Sequence, residues 1–286
     1  MGMEYKQYEP EVLKKLQETQ LGILKDFISL CEKYDLTYIM LGGTGIGVVR
    51  HQGFIPWDDD IDVAMPRKDY DVFLAMLEKE MGDKYRIQTP LTDPDYCCNV
   101  THMQKKGTRF VPYVSRNMGC ELCISIDIFP MDHVPEDEKA RRTQLKKTWM
   151  LNKLIFLCGT GEPIIPLTGV KKKVASVLCR MIHGTLKVLH VKPAFLYRQL
   201  VKEATRYNDQ PSQYINAFEV TMSHKAYISM SELYPLKKMR YEGIEVTMPN
   251  QYDRYLRRLF GDYMTMPPEE KRVNHCPYIL DFGEEE

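Results

Sequence analysis

A chain of 286 residues is long enough for one large domain or for a domain carrying a substantial insertion. Its 44% hydrophobic and 27% charged residues are globular in proportion, and a formal net charge of zero gives no global attraction for nucleic acid, so no nucleic-acid partner is expected. No basic, apolar leader opens the sequence, and Met1-Gly2 lacks the hydroxyl residue that myristoylation wants at position six, where Lys6 stands. Eight cysteines in so long a chain without a secretion signal read as reduced thiols, which implies a cytoplasmic protein. Cys97-Cys98 and Cys120-x-x-Cys123 lack zinc-knuckle spacing as a set, which argues against structural zinc.

From Glu11 to Tyr34 apolar residues recur at helical spacing (Leu13, Leu16, Leu24, Phe27, Ile28, Cys31), and the pattern predicts an amphipathic helix. Leu36 to Leu41 reads as a buried strand delivering the chain into the turn Gly42-Gly43-Thr44, with a helix beginning over Gly45 to Gln52. Glycines let such a turn pass through positive φ and let backbone N–H groups approach an anion. A phosphate at a strand–turn–helix junction also meets the positive helix end, and Thr44 adds a hydroxyl donor.

Four aspartates follow, Asp58-Asp59-Asp60 and Asp62, within Phe54-Ile55-Pro56-Trp57-Asp-Asp-Asp-Ile-Asp-Val-Ala-Met. On a strand Asp58, Asp60 and Asp62 would share one face while Asp59 points away. Carboxylates do not bind phosphate directly, so acids beside a phosphate-grade turn point to a hard cation between them, Mg²⁺ or Mn²⁺, and to metal-assisted phosphoryl transfer. A run of acids is more often a solvated loop, but here the flanking apolar alternation argues for a half-buried strand. An EF-hand calcium loop is excluded by its missing internal glycine and closing glutamate. Arg50 either clamps a phosphate or pairs with the aspartates; His51 reads as structural. Trp57 either walls a cage for a quaternary ammonium group or is a strand-edge core aromatic.

Arg67 to Met81 predicts another amphipathic helix and Tyr85 to Gln88 a short strand. Val100–Gln104 and Thr108–Val111 read as a hairpin about Lys105-Lys106-Gly107. Cys123 to Asp132 is an apolar strand pattern containing one acid, Asp127, a costly placement unless it is paired or metal-bound. Asp132, after Pro130, reads as a turn or cap. Residues 141–202 are strongly basic, with Glu162 as the only acid, and apolar residues interleave at helical spacing. Nothing there is apolar enough to span a bilayer, so this segment is either an ordinary helical subdomain or a peripheral contact with the inner face of the membrane. Arg240 to Pro249 predicts a strand pair and Tyr252 to Phe260 a helix. The expected division is a catalytic core over 1–136, a basic helical insertion over 137–208, and a C-terminal part over 209–286 completing the core.

The stretch from Leu41 to Tyr70, LGGTGIGVVRHQGFIPWDDDIDVAMPRKDY, resembles the signature of the LicD family of phosphocholine transferases, nucleotidyltransferase-fold enzymes related to fukutin and fukutin-related protein. One departure is Gly45-Ile46, where the family commonly has two leucines. The run from Asp127 to Asp132 and the C-terminal pattern of Glu242-Gly243, Tyr252-Asp253-x-Tyr255-Leu256, Gly261-Asp262-Tyr263 and Pro267-Pro268, then Arg272 and His275, are also similar. The resemblance implies an α/β (α+β) fold, a mixed sheet flanked by helices. It implies Asp60 and Asp62 as metal ligands, with Asp58 as a substitute and Asp127 as the third carboxylate and base. Gly42, Gly43 and Thr44 would receive the phosphates. The implied donor is CDP-choline or another CDP-alcohol, and the implied acceptor a glycan or lipid-linked sugar. Transfer of ribitol phosphate or of a nucleotide remains open, as does a non-catalytic, membrane-docked module. His275 reads as a surface tail residue.

Overall fold

The computed structural model describes residues 8–116, 118–163, 165, 167–220, 223–274 and 277–283. Met1-Gly2 and Lys6, where the sequence excludes myristoylation, and His275 lie outside them. Helix α1 (Pro10–Lys33) opens with a proline in its first turn, where the missing N–H costs nothing. It buries Leu16, Ile23, Leu24 and Phe27 against the core. The expected strand 36–41 contracts to β1 (Ile39–Met40), and α2 (Gly42–Arg50) follows after a single residue. Strand β2 (Asp62–Pro66) runs into α3 (Arg67–Met81), which packs Phe73 against Phe27 of α1 at a ring separation of 4.7 Å.

Next come β3 (Tyr85–Gln88), β4 (Thr101–Lys105), β5 (Arg109–Val111) and the ten-residue β6 (Ser125–Val134). Three helices leave the sheet after β6: α4 (Glu138–Gly159), capped by the Asp137 carboxylate, α5 (Gly169–Val188) and α6 (Pro193–Ala204). The chain returns through β7 (Tyr214–Ala217), the one-turn α7 (Ser223–Ala226), β8 (Ile228–Ser229) and α8 (Met230–Leu233). It closes with β9 (Lys237–Tyr241), β10 (Ile244–Met248), α9 (Tyr252–Phe260) and β11 (Ile279–Asp281).

The main sheet runs β1-β2-β6-β4-β3, with β7 beside the far end of β6 and β8 beyond it. Among the described residues only β2 and β6 pair in parallel and the remaining pairs are antiparallel, so this is a mixed sheet within an α/β molecule. Its buried strands carry Val63, Met65, Met103, Ile126 and Ile128 on the face that α1 and α3 cover. Helices α4 and α6 pack on each other and hold a separate small cluster of Ile155, Leu196, Tyr197 and Leu200.

Two expectations change. The anticipated hairpin does not form, because β4 already has β3 on one edge and β6 on the other. With both edges filled, β5 turns away at Gly107 and pairs with β11 instead. Asp132 is no turn residue: it is fully buried in β6, and Arg67 grips it through Nε and Nη2 at 2.8 and 2.7 Å. Asn208 adds a third donor at 2.7 Å. A carboxylate so enclosed needs those donors to offset its desolvation.

Candidate active site

The parallel pairing of β2 and β6 brings Asp62 and Asp127 into register as neighbouring residues. Paired residues on adjacent strands project from the same face of a sheet, so these two carboxylates share one. The register is fixed outside the ladder as well. The Asp127 amide donates to the Ile61 carbonyl at 2.8 Å, the Leu41 amide to the Asp62 carbonyl at 3.0 Å, and the Asp62 amide to Thr44 Oγ1 at 2.9 Å.

Asp58 and Asp60 are not on the strand, contrary to the two-residue spacing argument. Residues 58–61 are an extended connection before β2. It is held by the 2.8 Å turn bond from the Asp58 amide to the Ile55 carbonyl and by side chains of α1 rather than by a ladder. Gln17 and Gln20 donate to the carbonyls of Asp58 and Asp59 at 2.8 and 2.9 Å. Asp59 does turn inward, where Tyr8 donates to its carboxylate at 2.8 Å.

The four remaining acids nonetheless form one electrostatic cluster. The Asp62 carboxyl is pushed well above the ordinary range, first by burial, then by the charges of Asp60, Asp127 and Asp58. Crowded like charges want a counter-charge, and an all-oxygen donor set suits a hard cation. Among the described residues, however, no group of three or more His, Cys, Asp or Glu side chains already stands in ligating geometry. That holds for the cysteines too, all of which are free thiols among the described residues.

The glycine turn meets these acids directly. Helix α2 begins at Gly42 itself, whose φ is +57°, rather than at Gly45. A Cβ on Gly42 would lie 2.7 Å from Asp62 Oδ2, and one on Gly43 would lie 3.0 Å from Asp58 Oδ2. The glycines thus make room for two carboxylates at the positive end of the helix, where negative charge is favoured. Thr44 is buried, and its hydroxyl accepts from the Asp62 amide, tying α2 to β2.

Arg50 and Trp57 sit further out. Arg50 donates to the Tyr263 carbonyl at 2.6 Å and to His51 at 2.9 Å, while the Asp58 charge acts on it against the cost of its burial. Trp57 lines a cleft of about 450 Å³ with Tyr8, Gln17 and Arg272, and the Arg272 guanidinium lies 5.0 Å over its ring. One face of the indole is therefore already taken by a cation.

Asp60 and Asp127 open onto a larger cavity of about 850 Å³. Its wall contains groups not anticipated from the sequence. His102, the partner of Asp127 across the β4–β6 ladder, brings Nε2 within 3.3 Å of Asp127 Oδ1, and burial lowers its pKa to about 4. Tyr96 bonds the same imidazole at 3.2 Å. Glu219 is buried, its two carboxylate oxygens make no hydrogen bond among the described residues, and burial raises its pKa to about 8. Glu219 had a signal, being a lone acid among Ala217, Phe218 and Val220; His102 had none until the strand register was known. The rest of the wall comes from the basic segment: Trp149, Asn152 and Phe156 of α4, and Cys179 and Ile182 of α5.

Comparison with known proteins agrees with this geometry. Residues 35–156 match the family model described as LicD/FKTN/FKRP, nucleotidyltransferase domain. The chain is 28% identical over 265 residues to the lipopolysaccharide cholinephosphotransferase LicD of Haemophilus influenzae, covering 92% of this chain and 95% of that protein. Shorter matches join it to uncharacterised proteins of Rickettsia typhi (39% over 85 residues, 29% of this chain and 26% of that protein) and Rickettsia prowazekii (41% over 64 residues, 22% and 23%). The segment matched by the family model runs from the residues before β1 to the middle of α4, and so includes both acidic strands and the helix between them. The chain is thus similar over most of its length to a LicD cholinephosphotransferase, and its match to the LicD/FKTN/FKRP nucleotidyltransferase domain lies over residues 35–156.

Proposed function

We propose that the protein transfers phosphocholine from CDP-choline to a hydroxyl of lipopolysaccharide or of another cell-surface glycan or glycolipid precursor, releasing CMP. The observation that carries this reading is the in-register pair Asp62 and Asp127 on parallel strands, with Asp58 beside the first turn of α2 and the charge of Asp60 acting on Asp62. The similarity to a named cholinephosphotransferase over most of both chains supports phosphocholine as the group moved. A hard divalent cation, Mg²⁺ or Mn²⁺, held by Asp60, Asp62 and Asp127 with Asp58 within reach, would neutralise charge on the donor's diphosphate. The first turn of α2 orients that diphosphate with its N–H end. Asp127 takes the proton of the acceptor hydroxyl as its oxygen bonds to the choline-side phosphorus and the bond to the CMP oxygen breaks. His102, neutral at physiological pH, holds the Asp127 carboxylate at the Oδ1 edge. A nucleotide-activated donor implies a cytoplasmic site of action.

Phosphorus NMR on the purified protein with CDP-choline, Mg²⁺ and a glycolipid acceptor tests this. CMP and a new phosphodiester signal, absent with Asp62→Asn or a chelator, is the expected result. Turnover of another CDP-alcohol or of a nucleoside triphosphate, with none of CDP-choline, would keep the carboxylate site and discard the choline reading.

A further inference from the structure

Helix α5 is twenty residues long, about 30 Å, and none of them is buried. Its inner side is half-covered: Ala175, Cys179, Ile182 and Leu186 face the molecule. Its outer side carries a second apolar stripe. Val170, Val174, Val177, Leu178, Met181 and Val188 are 76, 62, 54, 54, 64 and 76% exposed. At 100° per residue these six span about a quarter-turn, spaced i, i+4, i+7, i+8, i+11 and i+18. Lysines bracket the stripe, with Lys171 on one border and Lys173 and Lys187 on the other; α5 contains no acid. Among the described residues Arg180 pairs with Glu162 at 2.9 Å, and the bordering lysines are exposed.

We infer that the outer face of α5 lies on an anionic bilayer, with the apolar stripe in the acyl boundary and the flanking lysines at the headgroup phosphates. Long basic side chains reach from an apolar stripe to headgroups, and each adds attraction to an anionic surface. Charge selects this occupant. A second copy of the same face would set lysine against lysine, whereas an anionic membrane complements both borders. Spanning is excluded by the packing. Among the described residues no single helix is long and apolar enough, and the one bent pair that passes by composition joins α5 to α6 at 106°. Helix α6 cannot follow α5 into lipid, because Leu196, Tyr197 and Leu200 are packed against Ile155 of α4.

The placement has a geometric consequence. Cys179 and Ile182, on the inner side of α5, line the cavity that also holds Asp60 and Asp127. A docked α5 would separate that cavity from the bilayer by one helix diameter, about 10 Å. Trp149 and Met150 of α4 line the same cavity and are 53 and 49% exposed. Membrane-anchored hydroxyl compounds thereby gain a short path to the carboxylates. The docking surface itself needs no transferase activity, so its test stands apart from the proposed reaction.

The full-length protein is floated with vesicles of phosphatidylcholine alone and of phosphatidylcholine with one-third phosphatidylglycerol. Wild type is expected to float only with the anionic vesicles, less so at high salt. Val174→Gln combined with Val177→Gln and Met181→Gln, and separately Lys171→Glu with Lys173→Glu and Lys187→Glu, should each lower partitioning about tenfold or more. All six positions are exposed and Gln and Glu are good helix formers, so both variants should keep the wild-type melting curve. Wild type that stays unbound with anionic vesicles at low salt would overturn the inference, as would undiminished floating of the glutamine variant. A wild-type dimer that the glutamine variant makes monomeric would also overturn it, assigning the face to a second copy.

Discussion

At the scale of single residues, the aspartate cluster stores repulsion that the surrounding fold must hold. Asp62 is raised by its own burial and by three neighbouring carboxylates, so the metal-free protein carries a cost that a neutral isostere removes. Asp62→Asn should therefore raise the melting temperature in the presence of a chelator, by roughly 2–4 °C for each kcal/mol relieved. Wild type should gain stability on adding Mg²⁺ or Mn²⁺, and the variant should gain much less. Scanning calorimetry with and without metal checks both; a variant that melts lower in chelator would mean that Asp62 is held by attractive partners. Gly45 offers a second residue-level test, since the family commonly has leucine there. A Cβ at Gly45 would meet Leu256 Cδ2 at 3.5 Å and Met248 Cε at 3.6 Å, ordinary contacts. Gly45→Ala should be tolerated and should stabilise α2 by about 0.5–1 kcal/mol, whereas Gly45→Leu overpacks against α9 and β10 and should cost about 1–3 kcal/mol.

At the scale of elements, what was legible in the sequence was what local pattern encodes. The 3.6-residue stripe of α1 (Leu16, Ile23, Leu24, Phe27) and that of α3 gave those helices within a few residues, and the isolated Asp127 in an apolar run marked β6. Pairing was not legible, because register is decided by which edges remain free. That is why the 100–111 hairpin was expected and β5–β11 was found. It is also why His102 emerged only with the β4–β6 register. Asp58 and Asp60 failed for a different reason: alternation assumes a ladder, and at 58–61 the backbone is held by glutamine side chains of α1. The junction of α2 with β2 depends on the same kind of non-ladder contact. Gly42→Ala should push against Asp62 Oδ2 and impose a positive φ on a residue with a side chain. Turnover should fall at least about tenfold through displacement of the carboxylate, with stability reduced by about 1–2 kcal/mol. Gly22→Ala, on α1 with no atom within 4 Å of its new Cβ, is the control and should leave activity unchanged.

At the scale of the whole molecule, the buried charges on the far half of β6 couple stability to pH. Arg67, Asp132 and Glu219 form a group with one more acid than base, joining the start of α3 to β6 and to the residues just past β7. Glu219 resolves the excess by holding a proton: its pKa rises from 4.5 to about 8, because burial outweighs the attraction of Arg67. An unfolded Glu219 has lost that proton by about pH 5, so through the window from about pH 5 to about pH 8 the native state binds more protons than the unfolded state. Stability must then fall as pH rises through that window, by up to about 1.4 kcal/mol per unit from this group. His102 acts in the opposite sense, but only between its unfolded value of 6.5 and about 4, since a buried neutral imidazole is penalised on protonation. From about pH 6.5 to about pH 8 the decline therefore belongs to Glu219. Urea unfolding in chelator at several pH values between about 6.5 and 8 should show wild-type stability declining as pH rises. Glu219→Gln should flatten most of that decline. A Glu219→Gln protein with the wild-type slope would show that Glu219 is ionised in the native state and that Arg67 balances both acids.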